Sequence, residues 1–448
     1  MLLQQTAKPS TIDHLPGSYG LPILGNSLSV VMDLLGFMTR QYQNYGPISR
    51  MNVFFENAVA MAGPDANQFV LLNQNQVFSN QLGYEPYLGR MFPRGLMLRD
   101  FEEHRIHRRV MQVPFKKNNM EGYLERMQPI IQNLVAGWGK DKPFYYFPHI
   151  QQLTLNVSSS VFLGEEVGEE SRRMGRAFEE VVAGMVALIR VPIPGLALGN
   201  GVRSRRILVE YFRSRIAARR AGNGSDLFTQ MCQAKDDAGE MFSDQDIIDH
   251  MIFLLFAAHD TTTLGMTTMM YGLAKHPEWQ DKIRAECLNV GDLNHVITYD
   301  DLDKMPITEW ALKEALRMYP PVPLYLRRTV KECEFGGYHI PADKQVFISS
   351  YFTGRMEEWW TNPHTFDPGR FAPERAEHKR HAYSWIPFGG GAHMCIGMHF
   401  ALMQVKAIVF NMLLRYRFSL ENGYEAKYRQ VPLPKPKDGL RLVLTPLN

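Results

Sequence analysis

The feature that most constrains the fold is a helical pattern that extends from residue 103 to residue 319. Within residues 103–319, apolar residues recur at three- and four-residue spacing, and a Gly/Pro cluster at residues 191–201 marks a break between helices. Segments rich in β-forming residues lie near residues 46–65 and 320–352, and residues 398–416 are again helical and apolar. These patterns predict a mainly α chain with a smaller β region.

The composition favours one folded unit. Hydrophobic residues make up 45% of the chain and charged residues 21%, which excludes a disordered or fibrous protein. We find no internal repeat, low-complexity run or flexible linker. We therefore expect a single domain over residues 1–448. Its first two strands are predicted as a hairpin within residues 48–63, with the turn at Glu56 and Asn57.

Charge and cysteine content restrict the partners and the compartment. The chain carries 49 Lys+Arg and 46 Asp+Glu, a net charge of +3, so no nucleic-acid partner is predicted. Its four cysteines lack the paired spacing of disulfide or zinc modules, which indicates a reducing, cytoplasmic location; they are Cys232, Cys287, Cys333 and Cys395. The N-terminal segment has neither a charged leader before an apolar core nor an uninterrupted apolar span, so we expect no signal peptide and no membrane anchor.

The most apolar long stretch, residues 247–271, is predicted as a buried helix and not as a membrane span. It contains His250, His259, Asp260 and five threonines. Ionisable side chains inside an apolar helix commonly mark a polar site. The segment FAAHDTTT, residues 256–263, also concentrates residue types whose side chains compete for backbone hydrogen bonds, which predicts a local distortion and a polar notch.

A glycine-rich cysteine loop, FGGGAHMCIG at residues 388–397, is the strongest chemical signal. Its three consecutive glycines permit a tight backbone turn, and Cys395 follows directly before a long predicted helix. A helix N-terminus stabilises a thiolate, the form of cysteine that acts as a nucleophile or a metal ligand. From these residues alone, a buried structural thiol, a nucleophile and a metal ligand all remain open.

The loop resembles the heme-binding loop of the cytochrome P-450 monooxygenases, F-x-x-G-x-[RH]-x-C-x-G. This resemblance implies the family's fold, an α-rich helical domain with small β-sheets around a buried heme b. It implies that Cys395 is the axial thiolate ligand of the iron and that His393, where many members have Arg, contacts a heme propionate. Other residues of the loop would also contact the cofactor: Phe388, Gly389 and Gly397.

Three further segments match motifs of the family and follow the family's order along the chain: residues 104–109, 256–263 and 314–317. Glu314 and Arg317 resemble its E-x-x-R helix, and Arg370 would join them in a buried ion network of structural role. Residues 256–263 resemble [AG]-G-x-[DE]-T-[ST], which implies that Asp260 and Thr261 form an acid–alcohol pair beside the cofactor, with Ala258 in place of the usual Gly. Such a pair would deliver the two protons that reductive oxygen activation consumes.

A basic segment at residues 104–109 matches the remaining cofactor contacts. Its His104 and Arg108 are four residues apart and would bind a heme propionate, as would Arg327, for which Arg328 competes. Buried carboxylates need such charged donors.

The resemblance implies a monooxygenase that takes electrons from a separate protein, because no G-x-G-x-x-G fingerprint of a nicotinamide or flavin domain is present. We expect O2, a ferredoxin or flavodoxin with its NAD(P)H reductase, and a monomer. Two basic clusters would form the docking patch: Arg375, Lys379 and Arg380, and Arg105, Arg109, Lys116 and Lys117.

The expected substrate is a lipophilic small molecule, such as a steroid, terpenoid, retinoid or fatty-acid-like compound, that is hydroxylated or epoxidised. The segments that would surround it, residues 78–98, 185–198 and 322–326 and the helix before Ala258, are rich in apolar side chains. The alternatives are a peroxide-dependent peroxygenase or isomerase, a noncatalytic heme or lipid carrier, and a heme-free cysteine hydrolase.

Overall fold

The structure is a computed structural model that describes residues 10–139, 143–166, 168–185, 187, 191–429 and 433–447. The helices are α1 Ser27–Met32, α2 Leu34–Tyr45, α3 Pro64–Leu72, α4 Asn80–Leu88, α5 Phe101–Met111, α6 Lys117–Ala136, α7 Tyr146–Ser158, α8 Glu169–Met185, α9 Ala197–Ala221, α10 Leu227–Gln233, α11 Asp244–Lys275, α12 Pro277–Val290, α13 Pro306–Met318, α14 Ser350–Thr353 and α15 Met398–Arg415. The strands are β1 Ile48–Val53, β2 Glu56–Met61, β3 Phe78–Ser79, β4 Phe144–Tyr145, β5 Tyr325–Thr329, β6 Cys333–Phe335, β7 Tyr338–Ile340, β8 Gln345–Ile348, β9 Tyr416–Ser419, β10 Tyr428–Arg429, β11 Lys435–Pro436 and β12 Arg441–Pro446.

The mainly α prediction is confirmed. Helices α5 to α13 occupy most of residues 101–318, and the strands form small sheets at the edges of this helical part. The largest sheet has five strands in the order β1-β2-β8-β5-β3, in which β2 and β8 are parallel and the other pairs antiparallel. This sheet places β5 next to the helical core.

The predicted hairpin is present, but its turn lies two residues earlier than the sequence indicated. Phe54 and Phe55 form the turn, with φ angles of 55° and 68°, and Glu56 already pairs with Val53. The polar residues assigned to the turn are instead held in the strands, because Asn57 Oδ1 accepts a hydrogen bond of 2.8 Å from the side chain of the opposite Asn52. A cross-strand side-chain pair thus overrides the turn propensity of Glu-Asn.

Helix α11 is the central helix of the fold. The Ser243 side chain caps it by accepting the backbone N–H of Asp246 at 3.1 Å, and Pro277, two residues after its end, begins α12. Most of its residues are buried, and it packs against α7, α13 and α15. The apolar stretch at residues 247–271 is therefore a core helix, as predicted.

A different stretch meets the length and composition expected of a membrane span. Among the described residues, Gly391–Arg415 is long and apolar enough, and 67% of its most apolar window is buried inside the protein. Helix α15 forms most of it and packs against α6, α12 and α13. Burial of this kind is typical of a core helix.

A buried ion network joins α13 to the segment that precedes the cysteine loop. Arg317 donates to both carboxylate oxygens of Glu314, at 2.7 and 2.8 Å, and Arg370 Nε lies 3.0 Å from Glu314 Oε1. All three side chains are at most 1% exposed, and Glu377 pairs with Arg370 from the other side. The predicted three-way network is confirmed, and a fourth member extends it.

Candidate functional site

The cysteine loop folds as a tight turn that requires glycine. Gly389 and Gly391 adopt φ angles of 71° and 61°, and a Cβ on Gly391 would lie 2.0 Å from the carbonyl oxygen of Leu71. The backbone N–H of Cys395 donates to the carbonyl of Phe388 at 2.9 Å, which closes the turn. Cys395 then lies just before α15, whose N-cap is Gly397.

One residue that sequence reasoning missed, Tyr325 on β5, fastens this loop. Its hydroxyl lies 2.6 Å from the Ile386 carbonyl and 3.0 Å from the Pro387 carbonyl, and it accepts the N–H of Gly389 at 3.1 Å. The side chain is buried, which raises its pKa and keeps the hydroxyl protonated as a donor. The only sequence signal was its position in a strand directly after a Pro-rich turn.

Cys395 is accessible although protein atoms crowd its thiol. Its side chain is exposed, yet desolvation by the surrounding groups raises the pKa of the thiol. A hydrogen bond from the backbone of Gly397 and the charge of Arg108 act in the opposite direction and favour the thiolate. A Cβ built on Gly397 would meet no protein atom within 4 Å, so a bulky group has room beside the sulfur.

The predicted propionate ligands line one cavity of about 510 Å³. His104 and Arg108 reach it from α5, Arg327 from β5 and His393 from the cysteine loop. The rings of His104 and His393 lie 3.8 Å apart, and His393 Nε2 is 3.6 Å from Asp100 Oδ1. Burial lowers the pKa of all four predicted ligands, that of His104 to about 3.

The charge of this cavity identifies the kind of group it fits. Within the described part of the chain, neither Arg108 nor Arg327 forms an ion pair with a carboxylate. Burying an unpaired guanidinium group is costly, so such groups mark the place of an anionic ligand. Asp100 and Glu102 also line the cavity, but Glu102 pairs with Arg105 and Asp100 lies beside His393. Arg108 and Arg327 therefore leave positive charge for the carboxylates of a ligand such as heme.

Strand alternation separates the two candidate arginines. Alternate residues of β5 are buried, so Arg327 faces the cavity, whereas Arg328 pairs with Glu56 on β2 and with Asp343 at 2.6 Å. The structure thus places Arg327, and not Arg328, with His104.

The segment predicted as a polar notch is an accessible part of α11. Residues 251–255 and 262–270 of α11 are buried, whereas Phe256, Ala258, Asp260 and Thr261 between them are partly exposed. Ala258, Asp260 and Thr261 therefore share one accessible stretch of a helix that is otherwise in the core.

Helix α11 continues without a break from Asp244 to Lys275, so the predicted local distortion does not interrupt it. The hydroxyls of Thr261 and Thr263 donate to the carbonyls four residues earlier, at 2.6 Å for Ala257 and 2.9 Å for His259. This back-bonding satisfies the hydroxyls inside a regular helix.

One protein family matches nearly the whole sequence. The family model described as "Cytochrome P450" matches residues 15–442. The chain belongs to the cytochrome P450 family. Relatives include cytochrome P450 136 of Mycobacterium tuberculosis, 40% identical over 96% of this chain and 88% of the relative, and cytochrome P450 120 of Synechocystis, 29% identical over 97% and 98%.

Solved structures agree with this fold. The chain superposes on the retinoic acid-bound cyanobacterial CYP120A1 with a TM-score of 0.86 and 28% identity, over 97% of this chain and 99% of that one. The heme domain of cytochrome P450DA gives a TM-score of 0.87 at 24% identity, over 97% and 98%, and supports the fold alone. The protein is therefore a heme-thiolate monooxygenase that uses O2, an organic substrate and a redox partner.

A buried histidine pair anchors α5, the helix that carries His104 and Arg108, to α11. Arg99, 1% exposed, pairs with Asp246 and lies 3.0 Å from His107 Nε2. Because Arg can only donate, His107 Nε2 accepts, and its Nδ1–H is assigned as the donor to His250 Nε2 at 2.9 Å. Burial and the charge of Arg99 lower the pKa of His107 to about 4 and that of His250 well below its usual value.

This pair predicts a pH-dependent stability. Below about pH 6.5 the unfolded chain protonates these histidines, whereas the folded protein keeps His107 neutral down to about pH 4. The free energy of unfolding should therefore fall as the pH is lowered through this window. His107→Phe should reduce that slope, as measured by urea denaturation at several pH values. Phe242→Leu, at the ring that stacks on His107 at 4.9 Å, should lower stability equally at each pH, and an unchanged slope in His107→Phe would contradict the assignment.

Proposed function

We propose that Cys395 is the axial ligand of the heme iron and that His104, Arg108, Arg327 and His393 bind its propionates. The observation that carries this proposal is the cavity in which the buried Arg327 and the partly buried Arg108, neither with a carboxylate partner among the described residues, meet the loop of Cys395. When bound, thiolate-ligated heme supplies reductive activation of O2, as is general for the family. The protein residues orient the cofactor, neutralise its carboxylates and favour the thiolate.

We propose that Asp260 and Thr261 handle protons on the opposite side of the cofactor. Both lie on the partly exposed stretch of α11, and the Asp260 side chain is 17% exposed, which leaves it open to exchange with solvent. The carboxyl group of Asp260 can take up a proton and release it to a neighbouring water. The hydroxyl of Thr261, one residue away, can accept a hydrogen bond from a water. Ala258 would line the same space.

The thiolate assignment is tested by the spectrum of the reduced protein under carbon monoxide. Heme-replete wild-type protein should show the red-shifted Soret band of thiolate coordination, and Cys395→Ala should lose it. Cys333→Ala is the matched control, because Cys333 lies in strand β6, where burial raises its pKa to about 11. Retention of the band in Cys395→Ala, or its loss in the control alone, would refute the proposal.

We propose a lipophilic substrate of retinoid, terpenoid, steroid or fatty-acid-like type. Phe256, on the partly exposed stretch of α11, stacks on Phe92 at 4.9 Å, and the partly exposed Ala257 and Leu326 pack on the same apolar core. The retinoic acid-bound structure and the taxane 10-beta-hydroxylase of Taxus cuspidata, 26% identical over 466 residues, support this class. Residues 186 and 188–190 of the predicted pocket lie outside the described residues.

The substrate class is tested by optical titration of the heme spectrum with retinoic acid, a cyclic terpenoid, a steroid and a fatty acid. At least one of these compounds should shift the heme absorption spectrum to that of the substrate-bound form. Phe256→Ala should weaken that binding by roughly tenfold, about 1.4 kcal/mol, because it removes buried apolar contact. Phe55→Ala, at a ring that is 77% exposed, should leave it unchanged. Equal weakening in both variants, or binding of none of the four compounds, would contradict the proposal.

We propose that a ferredoxin or flavodoxin, reduced by an NAD(P)H reductase, docks on the predicted basic clusters. Much of their charge is internally compensated, because four of the seven residues pair with carboxylates: Arg105 with Glu102, Arg109 with Asp237, Lys117 with Asp300 and Arg375 with Asp367. Among the residues described, Lys116, Lys379 and Arg380 have no such partner. These three are the better candidates for contacts with an acidic protein.

Charge reversal tests this docking surface. Lys379→Glu should slow reduction of the heme by the acidic partner at low salt, and the defect should shrink as salt is added, because exposed charges act mainly on the association rate. Arg109→Glu should have the smaller effect, since Arg109 already pairs with Asp237. Reduction rates measured by stopped flow that are unchanged in Lys379→Glu would exclude this surface.

We also propose that the protein acts as a cytoplasmic monomer. All four cysteines are free in the structure, which suits a reducing compartment.

A further inference from the structure

An unusual contact joins two consecutive residues of α11. His259 Nδ1 lies 3.0 Å from Asp260 Oδ1. Consecutive helical side chains point about 100° apart and do not normally face one another. The contact therefore depends on something that holds at least one of the two side chains in place.

His259 is the side chain that is held. It is 2% exposed. The ring of Phe178 on α8 meets the imidazole edge-on at 5.8 Å and 89°. The Thr263 hydroxyl, which donates to the His259 carbonyl, also bonds to Thr154 on α7 at 2.7 Å. Two neighbouring helices thus fix both the ring and the backbone of His259.

Asp260 has no comparable support of its own. In the described part of the chain it forms no ion pair with Lys or Arg, and its contact with His259 is the interaction that the structure gives its carboxylate. This contact occupies Oδ1, and among the described residues no hydrogen bond to Oδ2 is formed; the Asp260 side chain as a whole is 17% exposed. The direction of Oδ2 therefore depends on the fixed imidazole.

We propose that His259 is the positioning residue of Asp260: by hydrogen bonding to Oδ1, it aims Oδ2 into the space beside the cofactor. This inference rests on the proposed role of Asp260 in proton delivery. Proton transfer requires the donor within hydrogen-bond reach of its acceptor, and a displacement of about 1 Å can cost about 10²-fold in rate. A purely structural role for the contact between His259 and Asp260 predicts the opposite result. If Asp260 served only to satisfy the buried imidazole, replacing His259 by an apolar ring would leave the surroundings of the bound ligand unchanged.

Two variants of His259 separate these readings. His259→Phe keeps a buried ring without a donor, whereas His259→Asn keeps an N–H donor near the position of Nδ1. The matched control is His295→Phe, which removes an imidazole that contacts a carboxylate, that of Asp301 at 2.9 Å, outside α5 and α11. Each sample is normalised by its thiolate–carbon monoxide Soret band, so that misfolded protein does not count.

The main measurement is the infrared C–O stretch of carbon monoxide bound to the reduced heme, which senses nearby dipoles and needs no substrate. We expect Asp260→Asn and His259→Phe to shift this band in the same direction, His259→Asn to restore it, and His295→Phe to leave it unchanged. A shift with Asp260→Asn but none with His259→Phe would overturn this inference alone. No shift with Asp260→Asn would overturn the proposed position of Asp260 and this inference with it.

A second measurement tests the contact directly in case His259→Phe does not fold. In the diamagnetic carbon monoxide complex, the buried ring N–H of His259 should give a proton resonance protected from solvent exchange. It should be absent in His259→Asn and displaced in Asp260→Asn. An unchanged resonance in Asp260→Asn would show that the imidazole does not bond to Asp260 and would refute the proposal.

Discussion

The rest of the structure depends on the carboxylate of Glu314, which holds two guanidinium groups in the protein interior. Buried charges are stable only when they are paired and their remaining donors satisfied, and removal of one partner of such a pair costs about 3–5 kcal/mol. Here the remaining donors of Arg317 bind the carbonyls of Gly354 and Pro363, and Glu314 Oε1 also accepts the backbone N–H of Asp367. The network therefore fixes irregular backbone that helix packing alone would leave free. The nearby bond from Trp385 Nε1 to the carbonyl of Lys313, 3.1 Å long, continues this attachment to the cysteine loop.

The cavity above the loop shows how charge is arranged for the cofactor. Within the described ranges, Arg108 on α5 and Arg327 on β5 lack carboxylate partners, whereas Arg328, next to Arg327, has two. Because side chains alternate along β5, the two consecutive arginines lie on opposite faces: Arg328 on the sheet surface and Arg327 in the cavity. Where many family members have Arg, His393 stacks on His104 at 3.8 Å. The planar ring fits beside another imidazole, so the substitution exchanges a permanent charge for close packing in a crowded site.

Local patterns predicted the features that local physics determines. Two features could be predicted because each depends on residues close in the sequence. They are the spacing of Glu314 and Arg317 on one helix face and the glycines around Cys395. Tyr325 was not predicted, because its bonds reach the loop 61 residues later, from Ile386 onward, and no local pattern marks a hydroxyl for that use. The hairpin turn was misplaced for the same reason: Asn52 and Asn57 decide it by pairing across the strands. Long-range partners of the basic clusters were not predicted either: Arg105 pairs with Glu102 on the same helix, but Arg109 meets Asp237 only in the folded chain.

The hydrogen bonds of α11 divide the proposed proton-handling pair into two different roles. The single hydroxyl proton of Thr261 is donated to the carbonyl of Ala257 at 2.6 Å, so this hydroxyl is available to others only as an acceptor unless that bond breaks. Asp260 faces no such restriction, because its hydrogen bond uses Oδ1 and no contact to Oδ2 is formed among the described residues. In the proposed role, the carboxyl of Asp260 would exchange protons with a water, and Thr261 would hold that water by accepting a hydrogen bond from it. The two side chains would thus differ in function: the acid would supply the proton, and the alcohol would position the water that carries it.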